Sequence, residues 1–191
     1  FTNNGNNASN PEFDVNDDLG DLCYTTGNGG GSSGNDDIDN GYTKLTSPVM
    51  DLSTYNDPVI KYDYWFFNGG GNGNPNDNFN VTANNGTETV EIQLVTEPNS
   101  QWDEIDVHLT NFISLSSTMT ITFESSDQVN NSDGHITEAA VDAFEVYDAN
   151  PNATFELEQN MVDVIAMPNP FDHTLTVKYE FEASPDYAVL N

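Results

Sequence analysis

The sequence predicts an all-β chain, an antiparallel β-sandwich followed by a short extended β segment. Three observations carry this. Apolar and polar residues alternate through most of the chain. Turns rich in Asn, Gly and Ser recur about every 8 to 15 residues, the spacing of a sandwich. No long stretch repeats its apolar residues with the 3.6-residue period of a helix.

Residues 1–41 are rich in Asn, Asp and Gly; Phe13, Val15, Leu19, Leu22 and Tyr24 suffice there for one or two short strands laid on a larger sheet. From Tyr42 the β pattern is clear. Leu45, Val49 and Leu52 open it, and residues 59–67, with Ile60, Tyr62, Tyr64, Trp65, Phe66 and Phe67, form a strongly β-prone strand. Phe79, Val81 and Ala83 alternate, as do Val90, Ile92 and Leu94. Asn84-Asn85-Gly86 between them is a strong hairpin signal. Ile105, Val107 and Leu109 follow, then Met119, Ile121 and Phe123, and a last strand over 136–147. The expected organisation is a sandwich over 1–148, a linker over 149–160 and a partial β domain over 161–191.

Composition narrows the function. Thirty-two acidic residues face three lysines and no arginine, a formal charge of −29. Such a surface repels phosphate backbones and anionic membranes, so nucleic-acid partners are excluded and membrane insertion is not expected. It suits a chain that binds cations or stays soluble in salty water. Lacking an initiator Met, Phe1 is expected to be an internal position of a longer precursor. The single Cys23, with no local His, reads as a buried apolar residue rather than a nucleophile. His108, His135 and His173 lie far apart with no paired metal spacing, and no nucleophile elbow or phosphate loop occurs. No catalytic function is expected.

Two candidate sites stand out. Asp37, Asp39, Asn40 and the carbonyl of Gly41 offer hard oxygen ligands of the kind calcium needs; an Asx-rich turn without metal explains the same cluster. Trp65 and Phe67 share the face of their strand opposite Tyr62 and Tyr64. They are either an aromatic platform for a ligand or a row covered by the N-terminal segment.

Two resemblances extend this reading. Cys23-Tyr24-Thr25-Thr26-Gly27-Asn28, the segment 37–51, the aromatic strand and Glu138-Ala139-Ala140-Val141-Asp142 together resemble a jelly-roll accessory domain, related to MAM and carbohydrate-binding sandwiches, of secreted Bacteroidota proteins. That resemblance implies a structural calcium completed by Asp142, with Glu138 an extra ligand, and a binding or adhesion role, for instance toward polysaccharide. Met167-Pro168-Asn169-Pro170-Phe171, followed by Leu175, Val177, Tyr179 and Phe181 at alternate positions, resembles the start of a type IX secretion sorting domain, implying an extracellular or cell-surface location. Two further roles stay open. One is a filament or surface-layer subunit that self-associates when 171–190 pair with a neighbour's sheet edge. The other is the accessory domain of a secreted peptidase.

Overall fold

The computed structural model describes residues 9–16, 18, 20–27, 34, 37–70, 75–127 and 135–151, and the backbones of 161–167 and 176–181. The chain divides into two compact units, Phe1–Pro151 and Asn152–Asn191. As the alternation predicts, the first is an antiparallel β-sandwich. Its strands are β1 (Tyr24–Thr25), β2 (Tyr42–Thr46), β3 (Pro58–Gly69), β4 (Asn78–Asn84), β5 (Thr89–Val95), β6 (Asp103–His108), β7 (Thr120–Ser126) and β8 (Ile136–Asp148). One sheet runs β1-β8-β3-β6, the other β2-β7-β4-β5. Three residues of 3-10 turn, Leu109–Asn111, follow β6.

β3 lies between β8 and β6, so both its edges are paired and the run of Val, Ile, Tyr and Phe is fully used. Ile60, Tyr62, Tyr64 and Phe66 point into the sandwich and meet Phe79, Val81, Ile121 and Phe123 of the other sheet. The core is aromatic at its centre. Tyr62 meets Phe123 edge-on at 4.9 Å, and Tyr64 stacks on Phe79 at 5.5 Å, the geometries ring quadrupoles favour. Tyr62 keeps its hydroxyl satisfied by donating to Gln93 Oε1 at 2.5 Å.

The hairpin predicted at Asn84-Asn85-Gly86 joins β4 to β5. Gly86 takes a positive φ of 89° there, and Asn85 Oδ1 accepts the backbone N–H groups of Thr87 and Glu88, both at 3.0 Å. This is the Asx-turn chemistry that makes Asn favourable in such loops.

One irregularity matters for the site. The β3–β8 register shifts between Lys61 and Asp63, where β8 carries Ala143 at φ 50°. The bulge leaves Asp63 directly opposite Asp142.

In the second unit β9 (Met161–Met167) pairs antiparallel with β10 (Thr176–Phe181). β10 coincides with the alternating run read there, and β9 opens the segment 161–191 read as a partial β domain. Residues 168–171 of the Pro-rich motif lie outside the described residues.

Candidate functional site

The turn at 37–41 sits at the start of β8. Ile38 N donates to Thr137 O at 3.2 Å, and Asn40 adopts the left-handed conformation at φ 50°. Asp127 clamps the turn from the end of β7: its Oδ2 accepts Asn40 N at 2.5 Å and its own N–H donates to Gly41 O at 2.9 Å. Burial first, then the charge of Asp39, lifts the Asp37 carboxyl above its ordinary value, with Asp127 adding to it. Asp37 and Asp39 thus come together as expected, joined by an unforeseen Asp127. Beside them Glu138 is fully buried, its Oε2 accepting the hydroxyl of Thr26. A cavity of about 490 Å³ opens there, walled by Thr25, Thr26, Gly27, Asp37, Asp39 and Gly41 among others.

Asp142 is not part of that group, and the calcium set expected from the sequence is split in two. The turn meets β8 at Thr137; Asp142 lies five residues further along, roughly 16 Å of extended strand. Its Oδ2 instead accepts Val15 N at 3.0 Å and its Oδ1 accepts Ala143 N at 2.9 Å. Facing it, Asp63 is only 7 % exposed, and none of the hydrogen bonds among the described residues reaches its carboxylate. Burial, then Glu104, raises the Asp63 pKa; Lys61 offsets this in part, and Asp142 and Asp18 add to it. Lys61 itself is held by Glu104 at 2.6 Å. Cys23 borders the same group. Burial, Asp142 and Asp14 push its thiol up to about 12, so it is protonated and unreactive at neutral pH, although it is half-buried rather than buried as expected.

A third polar group spans the two sheets. The carboxylate of Asp77, just before β4, contacts the imidazole Nε2 of His135, just before β8, and also accepts Thr137 Oγ1 at 3.0 Å. Sequence spacing gave no hint of it.

The aromatic face is covered. Trp65 Nε1 donates to Ser9 O at 2.9 Å and Trp102 Nε1 to Phe13 O at 3.0 Å, while the two indoles meet edge-to-face at 6.1 Å. The N-terminal strap therefore lies over this row, and Trp65 and Phe67 are half-buried rather than an open platform.

An open apolar groove appears instead between the sheets at their β1/β2 edges. Tyr24, Leu45, Phe123 and Val141 line two adjoining cavities of about 170 and 200 Å³. Thr25, Thr26 and Thr43 join this groove to the polar cavity at the 37–41 turn. Tyr24, 69 % exposed, stands at its rim. β1 is only two residues long, so it leaves the gap open.

No family model matches the chain, and no curated protein matches it either.

Proposed function

We propose that this chain is a non-catalytic binding module of a secreted or cell-surface protein, stabilised by calcium and taking a neutral polysaccharide along the β1/β2 groove. The observation that supports it most is the continuity of that groove, an apolar trough with an exposed aromatic rim running into a pocket of hydroxyls and carboxylates. Sugar rings bind to such a combination, with apolar faces against aromatics and hydroxyls against polar groups. A charge of −29 disfavours anionic glycans. The jelly-roll and sorting-domain resemblances fit an exported module of this kind, including one serving a secreted peptidase.

Within this proposal calcium is assigned to the facing pair Asp63 and Asp142. Two buried carboxylates face each other there, and the nearby lysine is engaged by Glu104. Calcium would supply charge neutralisation, and the residues themselves would hold the strap. The 37–41 turn, closed by hydrogen bonds to Asp127, suits the metal-free Asx reading.

The test of binding is a glycan array and affinity electrophoresis on neutral polysaccharides with Tyr24→Ala and Phe144→Ala. At least tenfold weaker binding is expected in both variants. Binding unchanged in both, or no binding by the parent chain, removes the proposal.

A second reading rests on the β8 edge. Among the described residues, 142–148 have ladder partners only on the β3 side, and Phe144 and Tyr147 are partly exposed there. Such an edge accepts an added strand, as polymerisation would require. Light scattering at high concentration decides this: a strict monomer excludes it.

A further inference from the structure

We propose that Asp77, Asp127 and His135 form a binding site for one divalent transition-metal ion, zinc being the best match, which clips the two sheets together at one end of the sandwich.

The backbone brings the three donors together. Asp77 immediately precedes β4 and Asp127 immediately follows β7, and Asn78 pairs with Ser126, so both aspartates extend from the same end of one sheet. His135 immediately precedes β8 in the other sheet, where Ile136 pairs with Gly69. Their ligand atoms all lie within 4.8 Å of one another. Donors about 2.0–2.2 Å from a zinc ion stand at most about 4.4 Å apart, so small side-chain adjustments suffice. The supports are already in place: Thr137 Oγ1 donates to Asp77 and Asn40 N to Asp127.

Charge and burial call for a cation here. The side chains of Asp77 and His135 have no exposed surface. The chain has no arginine, and the lysines of the sandwich, Lys44 and Lys61, are held at 2.6 Å by Glu124 and Glu104. An ion here would meet two carboxylates, Asp77 fully buried and Asp127 half-buried, where reduced access to water strengthens its attraction to them. Two buried polar atoms at this end, His135 Nδ1 and Asn68 Oδ1, have no hydrogen-bond partner among the described residues. Asn68 is anchored beside the group, its amide nitrogen donating to Asp77 O at 3.1 Å. The Asn68 oxygen is thus a spare buried acceptor at this end of the sandwich.

The donor set selects the metal. Calcium takes oxygen ligands, whereas imidazole with carboxylates suits zinc and its neighbours. Binding places the ring proton on Nδ1 and leaves the Nε2 lone pair for the ion. A protonated ring first loses one proton to solvent, so affinity rises with pH.

Cobalt(II) titration of the chelator-stripped full chain tests this, because cobalt occupies such sites and absorbs visibly. A visible band is expected to saturate at one equivalent, to be displaced by zinc and to persist in excess calcium. It should weaken at least tenfold in His135→Gln and Asp127→Asn, and survive in His108→Ala and His173→Ala. Should His135→Gln fail to fold, Asp127→Asn, altering a half-buried side chain and checked by near-UV circular dichroism, gives the reading alone. No saturable band (His135 and Asp77 then sharing only a hydrogen bond), a band undiminished in a folded Asp127→Asn variant, or displacement by calcium each overturns the proposal.

Discussion

Asp63 and Asp142 stand directly opposite each other across the β3–β8 ladder, each less than one-tenth exposed. Burial, then the neighbouring acids, makes ionising Asp63 costly. The raised Asp63 pKa has a definite consequence for the metal-free chain. A carboxyl that titrates higher in the folded state than in the unfolded one binds more protons when folded. Stability therefore rises as pH falls through the folded pKa toward the unfolded value of about 3.9, and falls again as pH returns to neutral. Asp37 and Asp127, also raised, act in the same direction. In chelator, Asp63→Asn should stabilise the fold at pH 7 by about 1 kcal/mol and flatten this pH dependence. Urea melts at pH 5 and 7.5 measure it; destabilisation by Asp63→Asn in chelator contradicts the account.

Gly27 takes φ 60°, and a Cβ added there would run into the carboxylate of Glu138. Glu138 is fully buried, so moving its carboxylate aside would break its hydrogen bond with Thr26. Gly27→Ala should therefore cost about 3 kcal/mol, combining the left-handed conformation with overpacking. A shift in urea midpoint corresponding to less than about 1 kcal/mol would mean the Glu138 side chain relocates freely.

The strap over the tryptophans is fixed by two indole hydrogen bonds, so removing one should loosen it locally. Trp65→Phe keeps most of the apolar surface but deletes the donor to Ser9 O. The expected loss is about 1 kcal/mol, with faster proteolysis before residue 16. Equal cleavage rates in variant and parent would show that the strap is held by other contacts.

The strands were legible because their alternation is local. β4 and β5 show it residue by residue, and Asn85-Gly86 marks their hairpin through backbone preferences confined to a few residues. The sites were less so, because each is assembled by long-range pairing. The resemblance groups Asp142 with the 37–41 turn, yet β8 is 13 residues long and meets that turn at Thr137 near its start, with Asp142 at its middle. Alternation gave the face of Trp65 and left a cover by the N-terminal segment as one of two readings; it could not decide between them, since the strap contacts Trp65 through a backbone carbonyl that any residue could supply. Asp77, Asp127 and His135 are polar residues flanking strands, with nothing in their spacing to show that three strand ends converge.

With its pKa near 12, Cys23 carries almost no thiolate at pH 8. A free cysteine titrating near 8.5 is about one-quarter ionised there, so the folded chain should react with a disulfide reagent more than 100-fold more slowly. Denaturant should restore the ordinary rate. A fast reaction in the native state would show that the thiol is neither shielded from water nor held under the charges of Asp142 and Asp14.

Calcium binding can be assigned to one acidic group by comparing two variants. If the ion sits between Asp63 and Asp142, it offsets the burial and the neighbouring acids that raise the Asp63 pKa and fastens Val15 and its strap to β8. The parent should then gain several degrees in Tm on adding millimolar calcium after chelation, since only the folded state gathers these carboxylates. Asp63→Asn should abolish that gain while melting higher than the parent in chelator. Asp39→Asn, which alters the 37–41 turn, should keep it. The reverse pattern would return calcium to the turn, with Asp127 as its added ligand, and a chain indifferent to calcium would leave Asp63 and Asp142 as a facing pair without metal.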